Sequence, residues 1–180
     1  MLVKEVSPAF GPEYVMLVRN PYRRLESFFK EKLRQKIKMV FDDNPYILKR
    51  HQEIFYNYLK IKSSYPLEVK ASALLRLTFK EFIMNIKNVY QLEDHIAPQT
   101  LNFSRKFMGV NRVMQMNKYV HLENKVEMKW LADYFKLDLS IRINATHQID
   151  NEIEWDDESI AVVKDIFRKD FETFGYSVEP

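Results

Sequence analysis

The first clear hydrophobic pattern in the chain is the unbroken apolar run Tyr14-Val15-Met16-Leu17-Val18. Such a run predicts a strand buried on both faces, as in a parallel sheet. Ahead of it, residues 7–12 (Ser-Pro-Ala-Phe-Gly-Pro) read as a loop. Behind it, Arg19-Asn20-Pro21 breaks the run. Asn20 is a good N-cap and Pro21 suits the first helical position. The pattern then changes to a helical period. Leu25, Phe28, Phe29, Leu33 and Ile37 form one apolar side of a helix over about 21–38. A turn at 42–45 leads to a second predicted helix over about 46–62, with Ile47, Ile54, Phe55, Tyr58 and Leu59 as its stripe. Thr78, with Glu81 three residues on, predicts a capping box for a helix over 79–86. Residues 91–104 are less regular, and 111–116 are a second strand candidate. A helix over about 122–136 is expected to bury Leu122, Val126, Trp130, Leu131, Tyr134 and Phe135. Residues 139–155 read as an irregular excursion. A last helix over about 157–174 carries Ile160, Val163, Ile166, Phe167, Phe171 and Phe174, its aromatic stripe expected in the core; Asp156-Asp157-Glu158 matches its dipole and Gly175 stops it. With no repeat, low-complexity tract or linker, the pattern predicts a single, mostly helical α/β domain over 1–180.

Composition narrows the function classes. A chain of 180 residues can bury roughly 70% of its unfolded surface. An aromatic content of 14% excludes disorder as the main state. No apolar run approaches the roughly 18 residues of a membrane span. The start, Met1 to Val6, is too short and too charged to read as a signal peptide, so a cytoplasmic or peripheral-membrane location is expected. There are no cysteines, which excludes disulfides, zinc–thiolate sites, iron–sulfur clusters and cysteine nucleophiles. The three glycines, Gly11, Gly109 and Gly175, are too scattered to build a Gly-rich phosphate loop. A net charge of +3 is too mild to argue for nucleic acid, and no nucleic-acid module appears.

The chemistry concentrates where the first strand meets the first helix. A helix N-terminus offers unpaired N–H groups and the positive end of its dipole. Arg19 stands just ahead of it, with a guanidinium fork suited to phosphate. Arg23, Ser27, Lys30 and Arg34 follow at helical spacing. Together these residues describe an anion site of one guanidinium, a helix end and the Ser27 hydroxyl. The plain alternative is a solvated strand-end arginine and a helix-surface serine. The helix as a whole, with Arg23, Arg24, Lys30, Lys32, Arg34, Lys36 and Lys38, also reads as a basic face able to bind a polyanion.

The segment Val18-Arg19-Asn20-Pro21-Tyr22-Arg23-Arg24-Leu25-Glu26-Ser27-Phe28-Phe29 resembles the 3′-phosphate-binding segment of sulfotransferases, closest to the carbohydrate sulfotransferase branch. Three further stretches resemble that branch in the same order. Phe79-Lys80-Glu81-Phe82-Ile83 leads to Asp94-His95-Ile96-Ala97-Pro98-Gln99, where the family has a tryptophan that this chain lacks. Leu122 to Leu137 is similar to the helix after the family's second strand, and Asp170-Phe171-Glu172-Thr173-Phe174-Gly175-Tyr176 to its terminal motif. The resemblance implies a helix-rich, partial P-loop-like α/β fold with a small parallel sheet. It implies 3′-phosphoadenosine-5′-phosphosulfate (PAPS) as co-substrate, with Arg19 and Ser27 on its 3′-phosphate; Arg23 joins the expected cofactor-binding set by its helical spacing and not by the resemblance. It implies a carbohydrate or glycan acceptor and no metal. The family's N-terminal strand and lysine-bearing phosphosulfate loop have no counterpart before Tyr14, and Lys4 is a poor substitute. A truncated, non-catalytic module binding a 3′-phosphonucleotide or a polyanion therefore stands as the alternative.

Sulfuryl transfer to a hydroxyl needs a base, and His95 suits it, with Asp94 to orient it. Glu93 is a second candidate base, and a histidine that only satisfies the loop is the plain alternative. His51, His121 and His147 read as isolated; no pair lies at i, i+4 beside a third ligand, so no metal site is expected.

Overall fold

The computed structural model describes residues 2–7, 11–42, 46–104, 106–107, 110–111, 118–138 and 153–180. The chain divides into two compact units. The first comprises 1–21, 98–145 and 169–177, and the second 22–97, 146–168 and 178–180.

The first unit is built on strand β2 (Gly11–Val18), which contains the predicted apolar run. It pairs antiparallel with β1 (Leu2–Ser7), from Leu2 opposite Met16 to Ser7 opposite Gly11. The expected loop at 7–12 is thus corrected: Ser7, Gly11 and Pro12 lie in the two arms of a hairpin. Strand β5 (Lys118–His121) pairs parallel on the other edge of β2, from Val15 opposite Lys118 to Val18 opposite His121. The sheet order is β1-β2-β5, so the parallel pair is small and sits within a mixed sheet. Strands β3 (Lys106–Phe107) and β4 (Val110–Asn111) form a separate short hairpin. The strand candidate at 111–116 falls mostly outside the described residues, and the strand that completes the parallel pair follows it.

Helix α6 (Lys125–Phe135) packs on β5. It starts three residues later than the pattern suggested because Asn124 caps it, accepting from the N–H groups of Val126 and Glu127. Its packed face is the expected one only in part. Leu131 is buried with Val15 and Val120, and Met128, Trp130 and Phe135 lie against them. Leu122, Val126 and Tyr134 are exposed. On the sheet's other cluster, Met16 and Val18 pack with Phe174.

The second unit holds the predicted long helix. Helix α1 (Pro21–Lys30) begins at the Asn-Pro break and runs through a π-helical segment (Glu31–Gln35) into α2 (Lys36–Lys38). Its apolar stripe is buried as expected: Leu25, Phe29, Leu33 and Ile37 are fully enclosed. The helix expected over 46–62 reduces to α3 (Arg50–Glu53), followed by turns. Lys60 is in the left-handed region (φ 54°), which ends any helical path there. Helix α4 (Leu67–Leu75) carries no sequence expectation. Helix α5 (Phe79–Val89) has the predicted capping box: Thr78 Oγ1 accepts from Glu81 N–H at 3.2 Å, and Glu81 accepts from Thr78 N–H at 2.8 Å. Phe28 stacks on Phe82 at 5.7 Å, and Phe79 meets the Trp155 ring edge-on at 4.8 Å. The last helix is two helices, α7 (Asp157–Ile166) and α8 (Arg168–Phe174), broken at Phe167. Asp156 caps α7, and Gly175 stops α8 at φ +70°. The irregular stretch expected at 139–155 lies mostly outside the described residues.

Candidate functional site

Arg19 leaves the end of β2 in the first unit, and its backbone is gripped on both sides. Its N–H donates to Gln99 Oε1 at 3.0 Å and its carbonyl accepts from Gln99 Nε2 at 2.8 Å. Gln99 is itself held by the buried Asp170, whose Oδ2 accepts from Gln99 N–H at 2.7 Å. The other Asp170 oxygen accepts from Thr100 N–H at 2.9 Å and Thr100 Oγ1 at 2.7 Å. A buried carboxylate with three donors is well satisfied. Three stretches that resemble the family, around Arg19, Gln99 and Asp170, thus meet in one hydrogen-bond chain. It fixes the Arg19 backbone and leaves the side chain to other partners.

The Arg19 guanidinium, 38% exposed, faces Glu123: Nε lies 3.8 Å from Oε1. The same oxygen accepts from Asn20 N–H at 3.1 Å. Tyr176 Oη donates to the other oxygen at 3.0 Å. Burial first, and then the Glu123 charge, push the Tyr176 hydroxyl well above its usual range. Glu123 was missed in the sequence because it lies 103 residues from Asn20. Beside it, His121 holds Glu127 at 2.8 Å through Nδ1 and the Phe174 carbonyl at 2.7 Å through Nε2. Burial pulls the His121 imidazole down, but the Phe174 carbonyl and Glu127 outweigh it and hold it above the ordinary histidine value.

The second unit holds the other predicted residues. Ser27 is half-buried on α1, and Arg23 is exposed and paired with Glu26 at 3.0 Å. His95, 58% exposed at its side chain, hydrogen-bonds through Nδ1 to Glu93 Oε1. Its backbone N–H donates to the same oxygen at 3.2 Å. The carboxylate on the His95 ring is Glu93, and the Asp94 backbone carbonyl accepts from Arg24. His51 is not isolated. Its Nδ1 lies 3.5 Å from the other Glu93 oxygen, and its ring meets that of His95 edge-on at 5.8 Å. Burial, with the Lys32 and His95 charges, pulls His51 below its usual value against the opposing pull of Glu93. Glu93 is buried, which pushes its carboxyl up, but hydrogen bonds from the His95 ring and backbone and the two imidazole charges bring it below the usual range. His147 lies outside the described residues.

Part of the basic face is engaged within the chain. Arg24 donates to the carbonyls of Ala97 and Asp94, which pins the turn carrying His95. Arg34 is buried, donates to the carbonyls of Leu33 and Leu77, and lies 4.0 Å over the Phe29 ring. Lys32 is paired with Glu31 at 2.7 Å.

Residues 10–177 match the model of the sulfotransferase family, which is nearly the whole chain. The chain belongs to the sulfotransferase family. Membership fits the helix-rich α/β fold with its small parallel pair, and it implies transfer of a sulfuryl group from a donor nucleotide to an acceptor. No curated protein and no solved structure matches the chain. Among the described residues, no helix of this sulfotransferase-family chain is long and apolar enough to cross a membrane.

Proposed function

We propose that the chain transfers a sulfuryl group from PAPS to a carbohydrate hydroxyl. One observation carries the donor site: a carboxylate oxygen of Glu123 already rests on Asn20 N–H and beside Arg19. A cradle of one N–H and one guanidinium that holds a carboxylate oxygen suits a phosphate oxygen equally well. In this reading the 3′-phosphate of the donor displaces Glu123. Arg19 takes the charge; a part for Ser27 and Arg23 rests on the sequence of their stretch alone. The carbohydrate class of acceptor rests on the likeness of four stretches to the carbohydrate branch.

The chemistry is a single in-line displacement. The acceptor hydroxyl oxygen forms a bond to sulfur while the bond from sulfur to the 5′-phosphate oxygen breaks. Adenosine 3′,5′-bisphosphate leaves with the electron pair. The hydroxyl proton passes to His95, whose Nδ1 is engaged by Glu93, so Nε2 is the basic nitrogen.

The test is calorimetric titration with adenosine 3′,5′-bisphosphate, with 5′-AMP as control and Arg19→Ala beside the wild type. Micromolar binding that requires the 3′-phosphate is expected. Loss of the charge-assisted contact should weaken it by about 1.5–3 kcal/mol. Equal, weak binding of both nucleotides would overturn the donor site. Tight binding with no transfer of labelled sulfate to any sugar acceptor would leave the non-catalytic module in its place.

A further inference from the structure

We propose that His51, Glu93 and His95 form a binding site for a zinc-like transition-metal dication. One donor atom from each residue lies within 4.8 Å of the others. The set is two imidazoles and one carboxylate, the borderline nitrogen and oxygen donors that zinc takes when one position stays open. The His51 Nδ1 to Glu93 Oε2 separation of 3.5 Å is close to the edge of a zinc tetrahedron, about 3.4 Å for bonds of about 2.05 Å.

The site is built rather than accidental. Glu93 is buried, with 8% of its side chain exposed, and each of its oxygens faces a different imidazole. Arg24 pins the turn between Glu93 and Ala97 through two backbone carbonyls. The position of His51 is fixed by its neighbour Gln52, which is fully buried. Gln52 donates to the Lys32 carbonyl at 2.7 Å and accepts from Lys49 N–H at 2.9 Å. Such partners orient ligands as a supporting shell does in metal sites. The nearby Lys32 charge is already paired with Glu31. His95 is the outermost ligand, which gives an ion a path in from solvent.

The metal site stands independently of the sulfuryl-transfer reading. The two intersect only at His95. A metal on Nδ1 would leave the remaining imidazole proton on Nε2, so the loaded form would have no base there.

The experiment titrates Zn2+ into tag-free, metal-stripped protein against a chromophoric chelator, with Mg2+ as control. One equivalent of zinc, bound at micromolar Kd or tighter and not displaced by Mg2+, is expected. His51→Ala and Glu93→Gln should each weaken it at least about tenfold. His95→Gln, at an exposed turn, should do the same without loss of fold, checked by circular dichroism, and so decides the matter if a buried variant misfolds. Cobalt substitution should give the intense visible bands of a four-coordinate ion. Absence of saturable zinc binding, or zinc binding that survives His95→Gln unchanged, would overturn the site.

Discussion

At the residue scale, Glu123 is the most informative side chain of the candidate donor site. It satisfies Asn20 N–H and neutralises Arg19 when no nucleotide is bound. Both partners are about two-fifths exposed, so the pair itself contributes little, within about 0–1 kcal/mol. Against an incoming phosphate the same carboxylate is a competitor of like charge. Glu123→Gln removes that repulsion and keeps the shape. It should tighten adenosine 3′,5′-bisphosphate binding by roughly three- to tenfold, which corresponds to about 0.7–1.4 kcal/mol. Calorimetry at one fixed salt concentration measures it. Unchanged or weaker affinity would mean that Glu123 helps to build the cradle and does not occupy it.

At the element scale, His121 ties β5 to α6 through Glu127 and to the end of α8 through the Phe174 carbonyl. Its pKa in the folded chain is raised, with burial opposing the carbonyl and Glu127. A raised value means that the folded state favours the protonated ring. The stabilisation is therefore complete below the unfolded value of about 6.5 and fades as pH rises through the folded one. His121→Asn should cost more stability at pH 5.5 than at pH 9, measured by urea unfolding of both proteins at each pH. An equal gap at both values would show that the ring acts through shape and not through charge. The elements themselves were legible where local chemistry decides them. The Tyr14–Val18 run, Pro21, Thr78 with Glu81, Asp156 and Gly175 all mark what the structure places there. Legibility failed where tertiary contacts overrule the pattern. The stripe Ile47, Ile54, Phe55, Tyr58 and Leu59 mimics a helix, yet Ile47 and Tyr58 are exposed and the segment after Glu53 is turns. Strand β1 is charged and broken from β2 by proline, and it is strand only because β2 offers it an edge.

At the scale of the whole molecule, each unit is assembled from segments distant along the chain. That is why the sites were only half readable. Spacing placed Arg19 at a strand end and singled out His95. It did not reveal that Gln99, 80 residues away, holds the Arg19 backbone, or that His51 meets Glu93. Closure of the first unit rests heavily on Asp170, which is fully buried. In Asp170→Asn the amide oxygen can keep the two Thr100 donors, but the amide nitrogen then faces Gln99 N–H, donor against donor. One buried backbone N–H is left without an acceptor, at a cost of about 1–3 kcal/mol. The urea midpoint should fall accordingly with an unchanged m-value. Because Gln99 holds Arg19, nucleotide affinity should fall as well, and by more than the loss of folded protein explains. A variant that loses stability but binds nucleotide as the wild type does would separate the Asp170–Gln99 chain from the donor site and leave it a purely structural lock.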